Sequence, residues 1–290
     1  MHINVFSNHK KIYVERIIAS LIVLAITFWI CFPSSILPKE DLWQKLDEGL
    51  FVGEFDSPQK SKINNSKITM VKIDPKFYSF KLLCATEHSK LRMTPKKWSQ
   101  NHNLISAINA GMYQKDGITN VGYMKNFNHF NNPRLNNAYK AVLAFNPVES
   151  TIPEIQIIDL KCQDFQRLQL KYQTLIQSIR MISCRQENVW TKQDKSYGMA
   201  VCGIDKSGNA LFIFTEFPFS GYDLINILLS LPISIYNAMY LEGGPEANLY
   251  FALNGFQFER IGRYATDSES NTLAVARPIP NVIGIVKKSK

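Results

Sequence analysis

Ser196–Phe217 reads SYGMAVCGIDKSGNALFIFTEF. Two apolar runs rich in β-branched and aromatic residues flank Asp205-Lys206-Ser207-Gly208-Asn209, a set suited to a tight turn, so the stretch predicts a β-hairpin. Working outward, the same strand character recurs on both sides. SKITMVKID alternates, FYSFKLLCAT and NLISAIN are short apolar runs, and YKAVLAFNP, EIQIIDL and YNAMYLEG repeat the pattern. Helical signals are few. Thr94 and Pro95 open TPKKWSQNHN as an N-cap and first helical residue do, and GYDLINILLSL has helical spacing, a cap at Ser220 and a stop at Pro232. DFQRLQLKYQTL fits either element, and KNFNHFNNPRLNN, with no apolar period, reads as a loop. Many strands with a few inserted helices predict an α+β domain on a mixed β-sheet core.

A chain of 290 residues, 46% hydrophobic, is large enough to bury a core. Its net charge of +9 is spread along the sequence and favours an anionic partner. Nucleic acid is not expected, because zinc-finger spacing, aromatic ribonucleoprotein motifs and a basic helix are all missing from the sequence. From Ile17 to Pro38 no residue is charged, a run close to the roughly 20 apolar residues of a transmembrane helix. Lys10, Lys11 and Arg16 precede it, which predicts a cytoplasmic N-terminus and an extracytoplasmic remainder, periplasmic or extracellular. Secretion after signal cleavage is the rival. The expected division is 1–38 as tail and anchor, 39–64 as connecting segment and 65–290 as folded domain. In the connector, Leu42, Trp43, Leu46 and Leu50 have helical spacing. Of five cysteines none forms a Cys-x-x-Cys pair; one bridge is allowed and none is expected.

Gly-x-Ser-x-Gly elbows, phosphate loops and His-Glu-x-x-His are absent from the sequence, and the five histidines do not have metal-ligand spacing. Chemistry then falls to carboxylates, amides and cations at three corners. In MYLEGGPEANLYF an apolar run delivers Glu242 to a turn at Gly243 and Gly244, with Pro245 expected to hold Gly244 extended. Glu242 there is either a general acid or base or a solvent-facing turn residue. In AINAGMYQKDGITNVGYMKN, Asn109 precedes Gly111 and a second loop centres on Gly122; the amide either orients a ligand or caps the turn. In IQSIRMIS, Gln177, Ser178 and Arg180 interrupt an apolar segment, with the guanidinium serving phosphate, carboxylate or a structural ion pair.

Taken in order, these corners resemble the phosphodiester glycosidase family. Members read Asn-Ala/Gly-Gly-Met/Phe-Phe, then a Val-Gly loop, a Gln-Ser segment and Leu-Asp-Gly-Gly; this chain has INAGMY, NVGYMKN, IQSIRM and YLEGGPEANLYF. The resemblance covers about residues 65–277. It implies hydrolysis of a sugar-1-phosphodiester to sugar and phosphomonoester, with Glu242 and Asn109 at the catalytic centre. By the same resemblance Arg180 and Lys140 hold the phosphate, Asn109 and Gln177 orient sugar hydroxyls, and Ser178, Gly111, Gly122, Gly243 and Gly244 line the substrate. A divalent cation on Glu242 is left open, with no ligand set named. Glu242 stands where members carry aspartate, Pro245-Glu246-Ala247 where many have Gly-Ser-Ser, and Tyr197-Gly198 replaces an Asn/Thr-Gly/Ala element. The alternative is a non-catalytic envelope protein that binds anionic glycans or polysaccharide through the same cleft.

Overall fold

The computed structural model describes residues 42–61, 66–264 and 275–289. The apolar run Ile17–Pro38 lies outside the described residues, and among those described no helix is long and apolar enough to cross a membrane. In chain order the strands are β1 (Gln44–Asp47), β2 (Leu50–Asp56), β3 (Lys67–Ile73), β4 (Tyr78–Cys84), β5 (Ser106–Asn109), β6 (Met124–Asn126), β7 (His129–Asn132) and β8 (Ala141–Pro147). They continue as β9 (Ile155–Asp159), β10 (Tyr172–Ile182), β11 (Tyr197–Asp205), β12 (Ala210–Phe219), β13 (Ile235–Gly243), β14 (Asn248–Leu253), β15 (Phe256–Ile261) and β16 (Asn281–Lys287). The helices are α1 (Pro95–His102), α2 (Phe165–Leu168) and α3 (Gly221–Ser230).

The strands form two sheets. The larger runs β1-β2-β3-β12-β11-β13-β10-β6-β7, with β8 also on β10 and β9 on β8; the smaller runs β15-β14-β5-β16-β4. Leu50, Val71, Phe145, Phe212, Met239 and Leu241 of the large sheet meet Phe80, Ile108, Phe251, Ile283 and Ile285 of the small one in a shared apolar layer. Each outer face is covered by a helix. Leu224, Ile225 and Leu228 of α3 pack on Met181, Val201 and Tyr240, Trp98 of α1 on the small sheet, and Phe165 of α2 on Val142 and Leu175.

The α+β character and the few inserted helices are as the sequence predicts. The hairpin of β11 and β12 is present, its turn wrapped around Asp205, whose Oδ1 accepts from the Ser207 and Asn209 amides at 2.8 and 2.9 Å. Thr94 caps α1 and Ser220 caps α3. Three local expectations change. The mixed sheet resolves into strands whose pairings are all antiparallel. The helix expected at Leu42–Leu50 is instead β1, a turn at Gly49 (φ +71°) and β2, because Leu50 and Val52 reach the core through pairing with β3. The asparagine-rich loop contains the β6–β7 hairpin. Asn126, Asn131 and Asn132 are buried there and donate to the carbonyls of Leu82, Ile118 and Asn120, so their amides tie segments together rather than face water.

Candidate active site

A one-residue bulge sets the direction of Glu242. Tyr240 pairs with Val201 but Glu242 pairs with Ala200, so β13 carries Leu241 as an extra residue. Cross-strand partners share a face. Val201 and Tyr240 belong to the outer cluster under α3, whereas Ala200 and Leu241 belong to the layer between the sheets. Glu242 therefore turns inward. Ser178 and Asp159, both paired with Ala141, and Arg180, paired with Met239, point to that same inner side. Gln177, opposite Val142, faces outward.

Arg180 Nη1 donates to both carboxylate oxygens of Asp159 at 2.8 and 2.9 Å, with side-chain exposures of 18% and 2%. Asp159 also accepts from the Cys184 amide at 3.1 Å, and Cys162 and Cys184 are joined by a disulfide. The bridge corrects the expectation of none: β9 and β10 bring the two Cα atoms to 6.5 Å, a separation the sequence does not disclose. Asp159, Cys162 and Cys184 converge, but sulfurs bonded to each other and a carboxylate bound to arginine are not metal ligands. Arg180, expected on a phosphate, thus has its charge matched by a buried partner. Lys140 Nζ donates to the Asn137 carbonyl, and the Ser178 hydroxyl is buried without a hydrogen-bond partner among the described residues.

The amides hold backbone. All four hydrogen-bonding positions of Gln177 are filled: Oε1 accepts from Tyr123 and Asn136 amides, and Nε2 donates to Asn136 and Tyr139 carbonyls. It is expected to orient hydroxyls; instead it staples two loops. Asn109 Nδ2 donates to the Glu246 carbonyl at 2.9 Å and its Oδ1 accepts from the Asn248 amide at 2.7 Å, which pins the turn that follows Glu242. Gly111 abuts Asn120 and Gly122 abuts the Gln177 carbonyl, where a Cβ would meet it at 2.6 Å. A Cβ on Gly243 would meet the Tyr240 hydroxyl at 2.3 Å. Gly244 is not extended: it takes φ +67° against the Tyr264 ring, and its carbonyl accepts from Ala247 to close a 3-10 turn.

Glu242 is 8% exposed, and among the described residues its Oε1 accepts only the Gly243 amide, at 3.0 Å. Burial pushes its carboxyl up to about 8, the amide bond opposes this, and the nearby Glu246 charge adds to it. Four tyrosines lie within electrostatic reach of it. Burial raises the phenols of Tyr113, Tyr139, Tyr197 and Tyr240, and the Glu242 charge raises each further. Tyr197, Tyr240 and Trp190 form an aromatic wall on the outer side of the sheet, the Tyr197 and Trp190 rings 6.3 and 5.9 Å from that of Tyr240. Glu246 pairs with Arg277. Sequence reasoning did not select these tyrosines, although Tyr113 ends INAGMY and Tyr139 opens YKAVLAF. Two surface hollows, of about 420 and 510 Å³ and both bordered by Gln156 and Gln163, share no residue with this corner. A buried acid that keeps its proton near neutrality marks the corner as the better candidate.

Comparison with known proteins identifies the family and the fold. A family model described as phosphodiester glycosidase matches residues 102–286. The fold is similar to the zebrafish N-acetylglucosamine-1-phosphodiester alpha-N-acetylglucosaminidase catalytic domain auto-inhibited by pro-peptide, with TM-score 0.58 and 12% identity over 84% of this chain and 86% of that one. It is also similar to a hypothetical protein from Synechocystis, with TM-score 0.56 and 12% identity over 85% of this chain and 63% of that one. No curated protein matches the chain by sequence.

Proposed function

Since the chain belongs to the phosphodiester glycosidase family, we propose that it hydrolyses a sugar-1-phosphodiester, releasing sugar and phosphomonoester, with Glu242 as the proton donor. The observation that carries this reading is the inward-turned, buried carboxyl of Glu242, whose burial favours the protonated form and which has four tyrosines within electrostatic reach. A bare carboxylate would be costly there; a neutral acid is stable until positive charge develops beside it.

In the proposed reaction the bond between the anomeric carbon and the bridging oxygen breaks, and the Glu242 proton passes to that oxygen as the phosphomonoester leaves. The resulting carboxylate lies beside the positively charged sugar, which stabilises it. Water adds to the anomeric carbon and returns a proton to Glu242. A general acid so placed contributes roughly 10²–10⁴-fold in rate. Asn109 and Gln177 act as positioning residues, the first through the Glu246 turn and the second through the loop that carries Tyr139. The Cys162–Cys184 disulfide supports the extracytoplasmic location proposed from the charges before Ile17.

The test is sugar release from a panel of sugar-1-phosphodiesters, including N-acetylglucosamine phosphodiesters, with Glu242→Gln as control. Release that disappears in Glu242→Gln, with an unchanged fold, upholds the reading. Equal turnover by the variant refutes the acid role; glycan binding without any turnover turns the assignment to a binding protein.

A further inference from the structure

We propose that Arg92 and Arg277, on either side of Tyr113, form an anion-binding lip at the Glu242 corner that takes a phosphate group. Residues distant in sequence are brought together here. Met93 and Ile279 exchange main-chain hydrogen bonds at 3.2 and 2.9 Å, so the segments that carry Arg92 and Arg277 run side by side. The Arg92 guanidinium rests on the loop after β5, where a Cβ on Gly117 would lie 3.6 Å from its Nη1. That loop is closed by the Tyr113–Asn120 bridge and by the Gln114 amide donating to the Thr119 carbonyl at 2.7 Å, which fixes the Tyr113 backbone. Arg277 reaches the same place from the other side through its ion pair with Glu246, whose carbonyl is held by Asn109. Both arginines act electrostatically on the Tyr113 phenol, as do Glu242 and Glu246.

Charge accounting favours this position. Arg180 is neutralised by buried Asp159, and the Lys140 ammonium is engaged by the Asn137 carbonyl. Arg92 makes no ion pair among the described residues and is exposed, and Arg277 shares one carboxylate at an accessible rim. A dianionic phosphate between the two guanidinium groups gains charge-assisted, bidentate hydrogen bonds, with the Tyr113 hydroxyl as a neutral donor. The lip rests on the hydrolase reading only for its role in the reaction; the binding itself does not require turnover.

The experiment is calorimetric titration of the full chain with inorganic phosphate, alongside Arg92→Gln, Arg277→Gln, the double variant and Arg277→Lys. Lys171→Gln removes the same net charge from a site paired with Glu149 and serves as control. Each Arg→Gln change is expected to weaken phosphate binding by about tenfold or more, since one charge-assisted hydrogen bond is worth at least that. Arg277→Lys should recover part of the loss, and Lys171→Gln should stay within about twofold because exposed charges at a distance are screened. Failure of the wild type to bind phosphate, or equal binding by the double variant, overturns the lip. Phosphate binding lost in the double variant while the wild type turns over no phosphodiester upholds the lip and sinks the hydrolase reading. Phosphodiester turnover untouched by both arginine variants does the reverse.

Discussion

Gln177 and Asn136 exchange a pair of hydrogen bonds, the Gln177 Oε1 accepting from the Asn136 amide at 2.8 Å while its Nε2 donates to the Asn136 carbonyl at 2.9 Å. A side-chain amide thus imitates one rung of a β-ladder. Replacing it with leucine leaves the Tyr123 and Asn136 amides and the Asn136 and Tyr139 carbonyls unmet. Unmet buried groups cost about 1–3 kcal/mol each. We expect Gln177→Leu to lose about 3 kcal/mol in urea unfolding, and hydrogen exchange at the Tyr123 and Asn136 amides to accelerate. Exchange at wild-type rates would show that the loops are held by other contacts.

The elevated Glu242 carboxyl makes stability depend on pH in a defined direction. The folded protein holds this proton up to about 8 and the unfolded chain only to the ordinary 4.5. Between those values the folded state binds more protons, so its stability is greatest below 4.5, falls as pH rises and levels off above 8. The shift corresponds to about 4–5 kcal/mol at most. Melting temperature against pH should therefore decline less steeply for Glu242→Gln than for the wild type. Parallel curves would place the proton elsewhere. Hydrolysis should fall along the alkaline limb with an apparent pKa near that of Glu242.

Asp159 and Arg180 should show the asymmetry of buried ion pairs. Removing one partner strands the other, so Asp159→Leu alone is expected to cost about 3–5 kcal/mol. The double change Asp159→Leu with Arg180→Met should recover most of it, since both desolvation penalties vanish together. Additive losses in chemical denaturation would contradict a pairwise origin.

Gly243→Ala tests the aromatic wall. The added methyl would lie 2.3 Å from the Tyr240 hydroxyl and 2.5 Å from the Tyr197 ring. Both rings must move, at about 1–3 kcal/mol. The expected result is a lower melting temperature with a changed near-ultraviolet signal from the tyrosines; an unchanged spectrum would mean that the rings already have room.

The corners were legible because glycine, proline and abrupt ends of apolar runs are local signals, and the caps at Thr94 and Ser220 were legible for the same reason. What each corner residue touches was not. Asp159 meets Arg180 across β8, Cys162 meets Cys184, and Arg92 meets the region of Arg277 only through strand pairing. Gln177 looked like a ligand group because nothing in IQSIRM indicates that two loops would consume its amide. The β1–β2 hairpin was hidden by a coincidence of spacing, since Leu42, Trp43, Leu46 and Leu50 also fit a helix.

The extra residue at Leu241 makes the address of the acid a matter of counting. Were the same residues paired without the bulge, Leu241 would sit opposite Ala200 and plain alternation would swing Glu242 to the side of the sheet occupied by α3. Two chains with the same composition at this corner can thus differ wholly in where the carboxyl ends up. A shift of register across MYLEGG, as much as a substitution there, is a change by which a relative would gain or lose this proton donor.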